Sequence, residues 1–304
     1  MKSRYTFGLA AAGLVLGFGH AASAQVLLSD DFELDSSALY TVVDESNAAS
    51  GDGTPDSTSN FNFDYVAAGI ALAPNSTAGD TGGLRLAANE TDTDAGAADH
   101  IAVFNLTPIT APAYRLTVDV YMGVEDAGGT TEFGHVGVAG ASDDFLSIFT
   151  PIVDNGHFLA FTGDGGSSSD FRHSEPGNPA VAGGDASYLN SDNTTNATGD
   201  TYQQIFSTEN GYEFPGSPGN NWATLEIAVA AGQITYSFNG TAIIQTDYDG
   251  TAGNLVSLGY TDPFSSVGPH FVLYDNLSVE IIPEPASLAL LGLGGLALFG
   301  RRRR

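Results

Sequence analysis

Alternating apolar and polar residues limit the fold of this chain more than any other feature of its sequence. In residues 114–122 every second side chain is apolar: Tyr114, Leu116, Val118, Val120 and Met122. The same alternation recurs in residues 223–229 and 234–238, and Asn239-Gly240 then favours a tight hairpin turn. A period of two indicates half-buried β-strands. Residues 25–282 show no helical periodicity, so we expect an all-β domain.

Weaker strand patterns fill much of the remaining chain, and a final strand is expected at residues 271–282. The weaker patterns fall at residues 40–43, 61–66, 84–87, 100–104, 133–139, 145–149, 157–162, 203–207 and 255–260. Many short strands together with 38 glycines favour two antiparallel sheets packed face to face. Because the chain has no cysteine, a single core must stabilise this domain. The polar stretch 163–200 is expected to be a long loop.

The first 24 residues have the pattern of a secretory signal peptide. Two basic residues precede an apolar segment at residues 7–18, and Ala22-Ser23-Ala24 is a small-x-small cleavage site. Cleavage after Ala24 would make Gln25 the first residue of the exported protein. We therefore expect three regions: a signal peptide (1–24), a β-sandwich (25–282) and a C-terminal tail (283–304).

The tail joins three features in a fixed order. Pro283-Glu284-Pro285 disfavours regular helix, and an apolar run follows at residues 288–299. The chain then carries four basic residues: Arg301, Arg302, Arg303 and Arg304. Arginines resist translocation, so this end is expected to stay on the cytoplasmic side of a membrane. The order of the three features resembles the C-terminal signal of PEP-CTERM proteins, which Gram-negative bacteria export.

The resemblance implies how the protein is sorted. In that family an exosortase in the inner membrane processes the signal, and the protein then reaches the cell surface or the exopolysaccharide matrix. The inner membrane is thus expected to be a transient partner of a short hydrophobic C-terminal helix. A plain membrane anchor is the alternative. A helix over residues 288–300 would be about 20 Å long, whereas a bilayer core measures about 30 Å, which favours a transient signal.

The charge of the chain restricts its partners. The formal net charge is −27, and only Arg85, Arg115 and Arg172 among its nine basic residues fall within residues 25–282. Such a surface repels nucleic acid and anionic lipid, so neither is an expected partner. It attracts divalent cations, and no organic cofactor is indicated.

Residues 25–282 also resemble a structural group. The opening Asp30-Asp31-Phe32-Glu33, the closing residues 273–279 and the stretches 163–172 and 222–227 resemble concanavalin A-like lectins and glucanases. This resemblance implies a two-sheet antiparallel jelly-roll sandwich. The group includes lectins, binding modules, adhesion domains and hydrolases, so it does not decide the function.

Calcium is the metal that the resemblance implies. In related jelly rolls the opening and closing strands lie side by side, and a hard cation with oxygen ligands can join them. The matching residues are Asp31, Glu33 and Asp275, with Asp30 as a further candidate ligand. The alternative is that these acids are solvated and that Asp275-Asn276 forms a bend. A second candidate loop contains Asp92, Asp94, Gly96 and Asp99.

The sequence has no complete catalytic motif, so no catalytic residue is assigned and an enzyme is not expected. The glucanase pattern Glu-x-Asp-x-x-Glu begins at Glu33 and again at Glu90, but Ala38 and Ala95 replace the second glutamate. The histidines show no local pairing that would suggest a metal site. A long-range Ser-His-Asp arrangement remains open at this stage.

Glycan binding would use aromatic rings that stack on sugar faces. The candidates are Trp222, Tyr188, Tyr202, Tyr212 and Phe264, with burial in the structure as the alternative for each. The favoured hypothesis is a non-catalytic surface or matrix protein that binds or accompanies exopolysaccharide. The alternatives are a secreted polysaccharide hydrolase and a purely structural surface protein.

Overall fold

The computed structural model describes residues 24–46, 56–90, 99–124, 132–140, 156–163, 170–176, 181, 184–189, 201–206, 216–248, 250, 253–263 and 270–282. These residues form fourteen β-strands, a 3-10 turn at Ser37–Leu39 and a short helix, α1 (Thr201–Ile205). The strands are β1 (Val26–Asp30), β2 (Tyr40–Ser46), β3 (Ser57–Asn60), β4 (Leu84–Ala88), β5 (Asp99–Asn105), β6 (Tyr114–Gly123), β7 (Phe133–Gly140), β8 (His157–Phe161), β9 (Phe171–Ser174), β10 (Trp222–Ala230), β11 (Gln233–Phe238), β12 (Thr241–Asp247), β13 (Leu255–Asp262) and β14 (Phe271–Ile281).

Two antiparallel sheets contain all the described strands. The large sheet has eight strands in the order β12-β11-β10-β6-β14-β4-β3, and β1 also pairs with β14. The small sheet has six strands in the order β2-β5-β13-β7-β8-β9. The all-β class and the two antiparallel sheets that the sequence predicts are confirmed.

The two sheets bury the main hydrophobic core. Leu116 and Val118 of β6 are fully buried in it, and the small sheet contributes Val103 and Leu258. Side chains on a strand point alternately to the two faces, so the polar positions of β6 lie on the outer face of the large sheet. That outer face is the part of the molecule where candidate functional residues collect.

The first and last strands of the domain lie side by side, as the sequence predicts. β1 pairs antiparallel with the second half of β14, and Asp30 lies opposite Leu277. Beyond the ladder, the Ile281 amide donates to the Gln25 carbonyl at 2.9 Å. Residues 25 and 281 are therefore hydrogen-bonded neighbours.

Two strand predictions are wrong, and two strands, β3 and β9, were not predicted. Residues 61–66 are irregular, and the strand lies just before them, because the Asn60 side chain accepts the Asn62 amide at 3.2 Å and turns the chain. Residues 203–207 overlap α1 instead of a strand. β9 falls within the stretch that was expected to be a loop. Of the other seven weaker strands, six are found, and residues 145–149 lie outside the described part of the chain.

The targeting regions lie mostly outside the described residues. Of the cleavage-site residues, Ala24 and Gln25 are described and exposed, whereas Ala22 is not described. The sorting residues at 283–285 and 301–304 are likewise outside the described part. Among the helices that can be described, none is both long and apolar enough to cross a membrane.

Candidate functional site

A long irregular segment crosses the outer face of the large sheet. We call residues 61–83 the flap. Tyr65 and Ala73 of the flap pack on Leu273 of β14 in a second buried cluster, separate from the main core. The partly buried rings of Tyr121 and Trp222 pack against the same cluster. The flap therefore converts part of a solvent-facing sheet surface into a second apolar layer.

Trp222 is a fixed part of this second layer. Its indole Nε1 donates to the Ala71 carbonyl at 2.7 Å. Its ring centroid lies 5.2 Å from that of Tyr65 and 5.4 Å from that of Tyr121. Such spacings are typical of favourable aromatic pairs. The sequence-predicted sugar-stacking residue thus joins the flap to the sheet.

Two buried carboxylates hold the other end of the flap. The Asp119 carboxylate accepts the Asn75 amide N–H at 2.9 Å and the Asn75 side-chain amide at 2.8 Å. Oδ2 of Asp275 accepts the hydroxyls of Tyr65 and Ser76, each at 2.8 Å. Both carboxylates are at most 1% exposed. Hydrogen bonds to charged groups are stronger than neutral ones, so these contacts fix the flap to the sheet.

A bulge in β14 completes this network. The register of β14 against β6 shifts between Asp275 and Ser278, and Asn276 there has a φ of 53°. Asparagine tolerates this left-handed conformation better than most residues. The Asn276 side-chain amide donates to Oγ of Ser76 at 2.9 Å and to Oδ2 of Asp119 at 3.1 Å.

Burial changes the acidity of this network. It raises the pKa of Asp275 to about 6, and the nearby charge of Asp119 adds to the rise, whereas the hydrogen bonds from Ser76, Tyr65 and Asn276 lower it. Burial also raises the pKa of the Tyr65 phenol to about 12. The phenol consequently stays protonated and available as a donor to Asp275 at neutral pH.

Beside the flap lies an aromatic cleft of about 480 Å³. Its lining is Phe63, Ala68, Gly69, Ile70, Arg85, Tyr121, Gly123, Val124, Asn220 and Phe271. The Tyr121 and Phe271 rings are nearly parallel, with centroids 6.3 Å apart and an interplanar angle of 24°. The flap thus supplies one wall, and the large sheet supplies an aromatic floor.

Arg85 forms the polar part of the cleft lining. Its guanidinium carbon lies 4.9 Å from the centroid of the Phe271 ring and 5.8 Å from that of Phe63. Nη2 forms an ion pair with Oε1 of Glu90 at 3.0 Å. Glu90, which begins an incomplete glucanase pattern in the sequence, is therefore the ion-pair partner of a cleft residue.

The remaining aromatic candidates are not grouped at the cleft. Tyr188 is 6% exposed and donates its hydroxyl to the Val181 carbonyl at 2.9 Å. Tyr202 is 1% exposed and donates to the Asp170 carbonyl at 3.0 Å. Both rings belong to the main core and present no face to solvent. Tyr212 and Phe264 lie outside the described residues.

The structure does not bring the predicted calcium ligands Asp31, Glu33 and Asp275 together into one group. Glu33 accepts the Gly82 amide at 2.7 Å, and Asp30 accepts the Phe32 amide and the Tyr40 hydroxyl, each at 2.9 Å. Asp31 is exposed, while both oxygens of Asp275 already accept hydrogen bonds from protein donors. Calcium takes six to eight oxygen ligands, as a rule. Among the described residues no group of three or more His, Asp or Glu could hold a metal.

The second calcium candidate is largely outside the described residues. Asp92, Asp94 and Gly96 are not described. Asp99 is buried on β5, where its Oδ2 accepts the Asp56 amide at 3.2 Å.

The sequence analysis did not single out several residues of the candidate site, among them Asp119, Tyr121 and Phe271. A usable signal exists for Tyr121. It stands at a polar position of the alternating strand 114–122, where an aromatic residue is unexpected on a solvent-facing side. What the alternation cannot show is that the flap covers Asp119 and leaves Tyr121 at the edge of a cleft.

Among the comparisons with known proteins, the family model concerns the sorting signal and the solved structures concern the fold. Residues 282–304 match the PEP-CTERM protein-sorting motif. The chain carries a PEP-CTERM sorting signal. A search of the curated proteins finds no match to this sequence. The match covers only the tail of the chain, so it says nothing about what residues 25–282 bind.

The solved structures that resemble this chain are distant from it in sequence. The Emp46p carbohydrate recognition domain in its potassium-bound form has 7% identity and a TM-score of 0.46, covering 84% of this chain and 95% of its own. The Ca²⁺-bound exoplasmic/lumenal domain of VIP36 has 10% identity and a TM-score of 0.41, with coverages of 85% and 90%.

A third similar structure comes from work on endo-acting O-glycanases of the human gut microbiota. It has 10% identity and a TM-score of 0.44, and the coverages are 85% of this chain and 100% of its own. Carbohydrate-recognition and glycanase names therefore appear side by side among these distant similarities.

Proposed function

We propose that this protein is exported, is processed by an exosortase-type enzyme and acts at the cell surface or in the extracellular matrix as a non-catalytic glycan-binding β-sandwich. The sorting motif supports the route. The nearly parallel Tyr121 and Phe271 rings at the cleft support the binding activity. We further assign residues 25–282 to the concanavalin A-like jelly-roll group, with the signal peptide and the short hydrophobic helix as flanking segments.

The aromatic floor is the observation that carries glycan binding. Pyranose rings have apolar C–H faces, and aromatic side chains with half-buried rings offer matching apolar surfaces. The cleft volume lies within the range of about 300–1,000 Å³ that is usual for small-ligand sites. Asn220 at the rim is exposed and adds amide groups that can meet sugar hydroxyls.

A polysaccharide hydrolase is the second candidate. Among the described residues, the observation in its favour is that two carboxylates, Asp119 and Asp275, lie next to each other on the outer face of the large sheet. Both are covered by the flap and accept several hydrogen bonds from it, which argues against their acting on a substrate. A purely structural role is the third candidate and predicts no dependence on the cleft.

Affinity electrophoresis in gels that contain soluble polysaccharides tests the proposal. The exported protein, expressed from the 304-residue sequence, should be retarded by at least one polymer, and Phe271→Ala should weaken this binding about tenfold. Tyr248→Ala is the matched control, because Tyr248 is also a half-buried aromatic residue at a pocket but lies on a different one. Release of reducing ends from the bound polymer would instead favour the hydrolase.

A further inference from the structure

We infer that the cleft takes an uncharged stretch of polysaccharide, and that Arg85 serves as a wall of the cleft instead of an anchor for a carboxylate or sulfate group. This inference rests on the proposed glycan-binding function. It concerns the chemical class of the ligand, which neither the sorting motif nor the fold decides.

The charge of Arg85 is already neutralised within the protein. Nη2 pairs with Oε1 of Glu90 at 3.0 Å, and Nη1 donates to Oγ1 of Thr58 at 3.4 Å. Glu90 is itself held, since its Oε2 accepts the Thr58 hydroxyl at 2.9 Å. An anionic sugar would have to compete with a carboxylate that is fixed beside the guanidinium. The three side chains thus form a closed unit with no net charge.

Aromatic contacts also restrict the guanidinium. It lies between the Phe63 ring of the flap and the Phe271 ring of β14. Stacked arginines of this kind gain from dispersion and from attraction to the ring faces. Turning the guanidinium toward a ligand anion would lose these contacts as well as the ion pair. The guanidinium therefore acts as a spacer that holds the two rings apart and keeps the cleft open.

The rest of the cleft is uncharged. None of the other lining residues is acidic or basic. Asn220 binds the Val124 backbone in both directions, accepting the amide at 2.9 Å and donating to the carbonyl at 2.8 Å. The second hydrogen of its NH₂ group remains for a sugar hydroxyl. The cleft thus offers apolar faces and weak dipoles, which match neutral sugars.

The electrostatic field of the whole chain also disfavours anionic ligands. The net charge is −27, and Arg115, another of the three basic residues in 25–282, pairs with Glu226 at 3.1 Å. An anionic polymer approaching this surface is repelled over about one Debye length, which is about 10 Å at 0.1 M salt. A neutral polymer experiences no such barrier, so its binding should be nearly independent of salt.

Two neutral and two uronate polymers test the inference. Barley β-glucan, galactomannan, alginate and polygalacturonate are compared at about 0.1 M and about 1 M NaCl, which give Debye lengths of about 10 Å and 3 Å. We expect retardation by at least one neutral polymer, with less than about a twofold change between the salts, and none by the uronates. An ion pair outside the cleft lining provides the control: Arg115→Gln/Glu226→Gln should keep neutral binding within about threefold.

The outcomes distinguish failure of this inference from failure of the proposed glycan-binding function. Uronate binding that falls with salt and is lost in Arg85→Gln would overturn this inference while leaving glycan binding in place. Failure of all four polymers to bind, or neutral binding that Phe271→Ala does not weaken, would overturn the proposed function and the inference together. Salt-independent neutral binding that depends on Phe271 supports both.

Discussion

Asp119 of β6 and Asp275 of β14 are direct cross-strand neighbours, and the flap donates hydrogen bonds to both carboxylates. Like charges placed opposite each other on a sheet are normally destabilising. Here the donors of Asn75, Ser76 and Tyr65 offset the repulsion, so the pair holds together residues that are far apart in the sequence. The wall of the cleft depends on this attachment because the flap also carries Phe63 and Ile70.

Asp119→Ala should detach the flap. The substitution leaves the donors of Asn75, Thr224 and Asn276 without their carboxylate acceptor. Hydrogen bonds to a charged group contribute about 1.5–3 kcal/mol each, so we expect a loss of about 2–4 kcal/mol in the free energy of unfolding. Hydrogen exchange should accelerate in residues 61–83. Asp31→Ala, at an exposed aspartate, should cost less than about 0.5 kcal/mol. Unchanged exchange in the flap would show that Asp119 is not its anchor.

Gly259→Ala should destabilise the small sheet. A Cβ at this position would lie 1.9 Å from Cε1 of His135, whose ring is fully buried over the glycine. Overpacking of this kind costs about 1–3 kcal/mol, and thermal unfolding should show it. Gly140→Ala is the matched control, since its Cβ would meet nothing closer than 3.8 Å. If His135→Ala does not relieve part of the loss in a double variant, the clash is not the cause.

His135 should make the protein sensitive to acid. Burial, together with a smaller contribution from the neighbouring His100, lowers its pKa from 6.5 to about 3. The unfolded chain therefore binds a proton that the folded protein resists, so stability is complete above pH 6.5 and is lost as the pH falls toward 3. The contribution is roughly 1 kcal/mol per pH unit below 6. Denaturant unfolding of His135→Gln should show a smaller fall between pH 7 and 4.5. Parallel curves for the two proteins would assign the acid sensitivity to other groups.

Calcium provides a test of the Asp275 interpretation. Its oxygens accept the Tyr65 and Ser76 hydroxyls and the Asn276 amide. We therefore expect Asp275→Asn to leave any specific effect of calcium on Tm unchanged, measured against sodium at matched ionic strength. A calcium-dependent rise that disappears in this variant would restore Asp275 as a metal ligand.

The sorting motif predicts the fate of a tail variant. Replacing Pro283, Glu284 and Pro285 with alanines should leave the precursor in the inner membrane, because the motif that matches the sorting signal is then incomplete. Cell fractionation and immunoblotting measure this distribution. A variant in which Ser287 is replaced with alanine serves as a control within the tail. Normal arrival of the triple variant at the surface or in the medium would contradict the sorting role.

Alternation predicted much of the fold because it reflects which side of a strand meets the core. It failed at residues 61–66, where Phe61, Phe63 and Tyr65 do alternate with polar residues. Phe61 packs in the main core, whereas Tyr65 packs in the second cluster. An irregular segment whose aromatic residues are buried in two different clusters thus has the same alternating pattern as a strand. The five-residue helix α1 is too short to show a helical period.

The candidate site was less predictable, for a physical reason. Tyr65 and Asp275 are separated by 210 positions, and Asn75 and Asp119 by 44. No local pattern in one sequence connects such residues. The position of Tyr121 on the polar side of its strand indicates an unusual outer surface, but only the folded chain shows that the flap and Phe271 complete it.

The direction of β14 also determines how the protein would display its cleft. Phe271 starts this strand at the cleft, and Ile281 ends it at the point from which the tail continues. Eleven residues of strand span roughly 30 Å, about the thickness of a bilayer core. The cleft and the start of the tail therefore lie at opposite ends of β14, and a protein still tethered by its tail would hold the cleft about one strand length from that attachment point. Processing of the tail would then release the protein from the membrane. It would not be needed to make the cleft accessible.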